Sequence, residues 1–173
     1  RGQIYAYDSD KHRLAPIYQR LKRANVRNVQ IRAPGPGALD DLKGKLDLVL
    51  VDAPCSGTGT WRRRPDAKWR LTPEAVQRRI AEQRAILDEA LTYLKPGGAL
   101  VYVTCSVLPE ENGDQIDALQ ARAPDVAPID LAALWPAVSP HEAPAGLANG
   151  RLQLSPHRDG TDGFFVAAFR RAK

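Results

Sequence analysis

Apolar residues along this chain fall in short runs, separated by stretches with helical spacing. Ile4-Tyr5-Ala6-Tyr7 and Val29-Gln30-Ile31-Arg32 read as short strands, the first ending in Asp8. Between them, Leu14, Ile17, Tyr18 and Leu21 recur at helical spacing over residues 10–24. Pro16 predicts a kink or a late start there, since proline fits a first helical turn best. Leu46 to Val51 is a nearly continuous apolar run, the pattern of a strand buried on both faces of a parallel sheet, and Asp52 follows it.

Residues 53–71 are rich in glycine, proline and arginine and read as a long functional loop. Thr72-Pro73-Glu74 then opens a helix with a cap, a proline at the first position and an acid near the positive end of the dipole. That helix is expected to run to about Leu94 and stop at Lys95-Pro96-Gly97-Gly98. Ala99 to Thr104 is the next buried strand, and Pro109-Glu110-Glu111 opens a helix continuing to about Arg122. Residues 124–150 are proline-rich and irregular. Arg151 to Leu154 and Phe164 to Phe169 look like two closing strands, antiparallel neighbours of each other.

Strands alternating with helices point to an α/β fold with a doubly wound sheet. In such sheets ligands bind at the carboxyl ends of the strands. Asp8, Asp52 and Cys105 each lie at or just beyond such an end, so they are expected to converge on one crevice.

Composition narrows the classes. The 173 residues are 43% hydrophobic and 26% charged, enough for one ordinary α/β domain. No apolar run approaches the roughly 20 residues that span a bilayer, and no signal peptide is visible at the start. The expectation is a soluble, cytoplasmic protein with no membrane partner. The net charge of +5 favours an anionic partner such as nucleic acid, and equally fits a merely basic surface. Two cysteines do not make a disulfide framework. Isolated His141 and His157 show no metal spacing, and no metal is expected.

Two segments carry the chemistry: Asp52-Ala53-Pro54-Cys55-Ser56-Gly57-Thr58-Gly59 and Thr104-Cys105-Ser106-Val107-Leu108-Pro109-Glu110-Glu111-Asn112. Together they resemble the two signatures of the NOL/NOP/Sun family of RNA cytosine-5 methyltransferases. Tyr7-Asp8, Lys95 to Gly98 and Asp162-Gly163-Phe164-Phe165 fit that family in order. The wording of the second signature and of the Asp162–Phe165 ending most resembles the bacterial branch acting on small-subunit ribosomal RNA. The resemblance implies a Rossmann-like class I fold using S-adenosylmethionine.

It also implies roles. Carbon 5 of cytosine is a poor nucleophile until a thiolate adds at carbon 6, which is covalent catalysis. By resemblance Cys105 is the attacking thiol and Cys55 assists breakdown of the adduct. Either cysteine alone would read as a small buried hydrophobe. Asp52 is implied as a contact to methyl donor and base, Pro54 as backbone facing the base, and Asp8 as a ribose ligand. Arg62, Arg63, Arg64 and Lys68, with Trp61 and Trp69, could grip phosphates and stack on bases. They read as well as a solvated basic loop with the tryptophans partly buried. Asp162-Gly163 reads as a turn, its phenylalanines as core.

The chain departs from the family in two places. No glycine-rich loop precedes Asp8, and the adenine-side acid is absent from Ile31 to Gly37. With no methionine anywhere, residues 1–173 read as one partial catalytic domain whose first strand is missing, and which could self-associate through the gap. The alternatives are an RNA-binding or assembly module with a degenerate cofactor site, and a relative acting on transfer RNA.

Overall fold

The computed structural model describes residues 2–173. They form two compact units, the first ending at Lys43 and the second spanning Gly44–Lys173. In the first, β1 (Ile4–Tyr7) pairs in parallel with β2 (Val29–Arg32). The connection carries α1 (Lys11–Leu14) and α2 (Ile17–Arg23). Asp10 caps α1 by accepting a hydrogen bond from the His12 N–H at 2.8 Å. Pro16, lacking an N–H, separates the two helices, so the expected kink is a break.

The second unit runs β3 (Leu46–Asp52), α3 (Pro73–Tyr93), β4 (Leu94–Thr104), α4 (Gly113–Arg122) and β5 (Val126–Pro128). It continues through α5 (Leu131–Val138), β6 (Leu147–Ala148), β7 (Arg151–Leu154), α6 (Pro156–Asp159) and β8 (Phe164–Arg171). The sheet order is β3-β4-β8-β7-β6, with β5 also against β8. Only β3 and β4 run parallel; β8 is antiparallel to β4, β5 and β7, as expected for the two closing strands. Thr72 caps α3, its Oγ1 accepting from Ala75 N–H at 3.2 Å, an interaction worth about 1 kcal/mol.

Leu87 of α3, Leu100 and Tyr102 of β4, Ile116 and Leu119 of α4 and Phe169 of β8 are almost fully excluded from solvent. Helices α3 and α4 therefore cover one face of the sheet. The reading of β3 as buried on both faces needs correction. Val51 is buried, but Leu48 and Leu50 remain 55% and 62% exposed. Among the described residues strand β3 is the edge of its sheet, paired with β4 alone, and its leucines alternate away from the helical layer. Strand β4 also begins earlier than expected. Leu46 pairs with Leu94 and Leu48 with Ala99, so Lys95–Gly98 bulge out of register, aided by Gly97 at φ 76°.

No helix among the described residues is long and apolar enough to cross a membrane. Burial sets the expected mutational costs. Leu100→Ala should lower unfolding stability by about 2–5 kcal/mol in urea titrations, through lost transfer energy and a cavity. Leu50→Lys should stay within about 0.5 kcal/mol, and should reduce any self-association seen in sedimentation velocity by charging an open strand edge.

Candidate active site

Parallel pairing of β3 with β4 brings their carboxyl ends side by side. Asp52 closes β3 and is exposed; Cys105 follows Thr104, the last residue of β4. Beyond Asp52, Ala53 N–H still donates to Val103 C=O at 3.0 Å, and the chain then turns through Pro54. The turn sets Cys55 against Cys105, their Sγ atoms 3.4 Å apart and both partly buried. Gly59 N–H donates to the Cys105 C=O at 3.0 Å, joining the two loops through the main chain as well.

The two thiols are unequal. A hydrogen bond from Cys55 pulls the Cys105 thiol down to about 7, helped by a backbone hydrogen bond. Burial and the charges of Asp52 and Glu111 oppose this. Cys55 is pushed up, first by that same hydrogen bond, then by burial and by the charge on Cys105. Cys105 is thus the sulfur that ionises, and Cys55 the one that keeps its proton.

The residue that fixes this arrangement is Glu111, which the sequence reading did not single out. It is fully buried. Its carboxylate accepts from Ser56 N–H at 2.7 Å, Ser56 Oγ at 2.5 Å and Gln83 Nε2 at 3.1 Å. Gln83 also donates to Pro54 C=O at 2.9 Å, and the Glu111 C=O accepts from the buried Tyr102 hydroxyl at 2.8 Å. One signal was available in the sequence: Gln83 occupies the apolar stripe of α3, four residues before Leu87, where an amide needs a buried partner.

Asn112 explains why the helix expected from Pro109 is interrupted. Pro109–Glu111 form a single tight turn and α4 starts only at Gly113. Between them the Asn112 side chain accepts from Thr104 Oγ1 at 2.6 Å and donates to Ser106 C=O at 3.0 Å and Gln153 Oε1 at 2.8 Å. Its backbone, at φ −117° and ψ −96°, leaves the helical path to make these contacts. Ser106 and Thr58 complete the junction at 3.0 Å. Gly59 meets Gly163 so closely that a Cβ on it would lie 2.3 Å from the Gly163 oxygen. The Asp162-Gly163 turn is therefore part of the loop packing, with Phe165 buried beyond it and Phe164 38% exposed.

The basic loop divides. Arg63 is held by Asp162, with Nε and Nη2 each 2.5 Å from its carboxylate. Arg62 reaches the Gly160 C=O at 3.4 Å. Arg64 is exposed and makes no ion pair among the described residues. Lys68 lies 4.5 Å from the centre of the Trp69 ring, and Trp69 is 80% exposed, whereas Trp61 is partly buried. Asp8 belongs to the first unit, just beyond β1; one of its oxygens accepts from Asp10 N–H at 2.8 Å.

The sheet, with catalytic-type side chains at its strand ends, defines a Rossmann-like class I methyltransferase fold. The chain belongs to the 16S rRNA methyltransferase RsmB/F family, whose model matches residues 1–170. It is 39% identical over 171 residues to ribosomal RNA small subunit methyltransferase B of Klebsiella pneumoniae (strain 342), covering 96% of this chain and 36% of that protein. The chain thus spans about a third of the length of such curated relatives. Among solved structures, NSun6 from Pyrococcus horikoshii with SFG superposes with a TM-score of 0.81 at 30% identity, over 100% of this chain and 42% of that one. An O-methyltransferase from Bacillus cereus in complex with SAH, at 16% identity and a TM-score of 0.52, covers 98% of this chain and 63% of that one and shares the fold alone.

Two measurements test the site. The rate of alkylation of Cys105 by iodoacetamide should rise with pH around a midpoint of about 7. Cys55→Ala removes the donor that favours the thiolate and leaves burial and the two carboxylates to prevail, so the midpoint should rise to at least the ordinary thiol value of about 9. Glu111→Ala takes the carboxylate acceptor from the Ser56 N–H and hydroxyl and one of the two acceptors from the Gln83 amide, and should destabilise the chain by about 2–4 kcal/mol in urea titrations. Glu111→Gln, which keeps one acceptor oxygen, should cost less.

Proposed function

We propose that this chain is the catalytic side of an S-adenosylmethionine-dependent enzyme that methylates carbon 5 of a cytosine in RNA, small-subunit ribosomal RNA by preference. The observation that carries this reading is the pairing of a readily ionised Cys105 with a protonated Cys55 3.4 Å away. Residues 1–173 are then a single partial methyltransferase domain.

The Cys105 thiolate adds to carbon 6 of the ring, and carbon 5 gains the enamine character that lets it take a methyl group. Loss of the carbon 5 proton returns its electron pair to the ring and expels the thiolate. Cys55, hydrogen-bonded to that sulfur, supports this breakdown and product release. Asp52, exposed at the end of β3, accepts a hydrogen bond from the cytosine amino edge. Pro54 shapes the backbone beside the base. Arg62, Arg64 and Lys68 neutralise phosphates, while Arg63 contributes mainly by holding the loop to Asp162.

The residues present fit part of the cofactor. Asp8 keeps one carboxylate oxygen free of partners among the described residues, suited to a ribose hydroxyl, and Asp52 is open to solvent. The described residues include no glycine-rich loop to hold the methionine end. When bound, S-adenosylmethionine supplies the electrophilic methyl group.

In a protein of the relatives' full length, methyl transfer to small-subunit ribosomal RNA should fall by at least about a thousandfold in Cys105→Ala, as expected for removal of a covalent nucleophile. Cys55→Ala should instead accumulate an RNA–protein adduct that survives denaturing gels. Methylation that persists in Cys105→Ala would refute the covalent route.

A further inference from the structure

We infer that Cys55 and Cys105 form a reversible oxidation site, closed to an intramolecular disulfide by a hydroperoxide and reopened by a thiol reductant. The two sulfurs are already in van der Waals contact at 3.4 Å. A disulfide bond is roughly 2.05 Å long, so closure needs about 1.4 Å of combined movement. Both thiols are free and partly exposed, so a small oxidant can reach them.

The surroundings hold the pair face to face. Ser56 is fixed to buried Glu111 through its N–H and its hydroxyl, and Gly59 is bonded to the carbonyl of Cys105 itself. These bonds anchor the backbone on both sides of the pair, so an oxidised sulfur on Cys105 forms within reach of the second thiol. Oxidation-sensitive cysteines share these traits: a readily formed thiolate, access, and a resolving thiol nearby.

The chemistry balances without a further reactant. The Cys105 thiolate attacks the hydroperoxide; an S–O bond forms, the O–O bond breaks, and the departing alkoxide or hydroxide takes a proton from water. Cys55 sulfur then attacks the sulfenic acid. The S–S bond forms as the S–O bond breaks, and the leaving hydroxide takes the Cys55 proton to become water. Two thiols lose two electrons, which the hydroperoxide accepts. Loss of methyl transfer on closure rests on the function proposed above; the disulfide does not, and its measurement needs neither RNA nor methyl donor.

The test exposes the whole chain to a slight molar excess of hydrogen peroxide. Thiols titrated with Ellman's reagent after denaturation should fall from two to none and return fully with dithiothreitol. The intact mass should drop by two hydrogens, and the chain should stay single on a non-reducing gel. Cys55→Ser should stop at a Cys105 sulfenic acid that dimedone captures. The proposal is overturned if wild-type thiols survive, if they are lost into linked dimers, or if they go irreversibly to sulfinic acid without the two-hydrogen loss.

Discussion

The arrangement at the carboxyl ends of β3 and β4 depends on a carboxylate that has no contact with water. Placing Glu111 in the interior costs several kcal/mol unless its oxygens are hydrogen-bonded. Three donors meet that need: the Ser56 N–H, the Ser56 hydroxyl and the Gln83 amide. Two of the three belong to the residue that follows Cys55. The energetic requirement of one buried acid therefore fixes where the first thiol stands. Its backbone carbonyl, through Tyr102, ties the same residue to the floor of the core.

A second set of bonds fixes the other thiol. Asn112, next in sequence, draws in Thr104 and Ser106, the two neighbours of Cys105. The loops after β3 and β4 thereby become one hydrogen-bonded body, seated on a fully buried layer of Leu87, Leu100 and Ile116. Glycine at 59 and 163 lets two backbones touch where any side chain would force them apart. Such networks are stronger than their separate bonds when every member is satisfied, and costly when one is lost.

The strands, the capped start of α3 and both cysteine segments were legible in the sequence because their signals are local. A run such as Leu46–Val51 names a strand, and Thr72-Pro73 names a helix start. What failed is what depends on neighbours distant in sequence. The exposed faces of Leu48 and Leu50 follow from β3 lying at the sheet edge, which its own residues do not encode. The break at Asn112 defeats helix propensity because Thr104, Ser106 and Gln153 offer its amide better partners. Family resemblance placed both thiols at the site; the bond between them came from the fold.

The inequality of the two cysteines is the last consequence of this packing. Both are thiols of the same kind, partly buried, beside negative charge. Asp52 and Glu111 disfavour a thiolate on Cys105, and burial disfavours it further. Hydrogen bonds to the charged form outweigh these opposing effects, the Cys55 S–H at 3.4 Å first and a backbone hydrogen bond second. Ionising Cys105 then forbids ionising Cys55, since two adjacent anions in a half-buried site repel. The proton kept by Cys55 is thus what favours the thiolate on Cys105, and the two sulfurs titrate as a coupled pair.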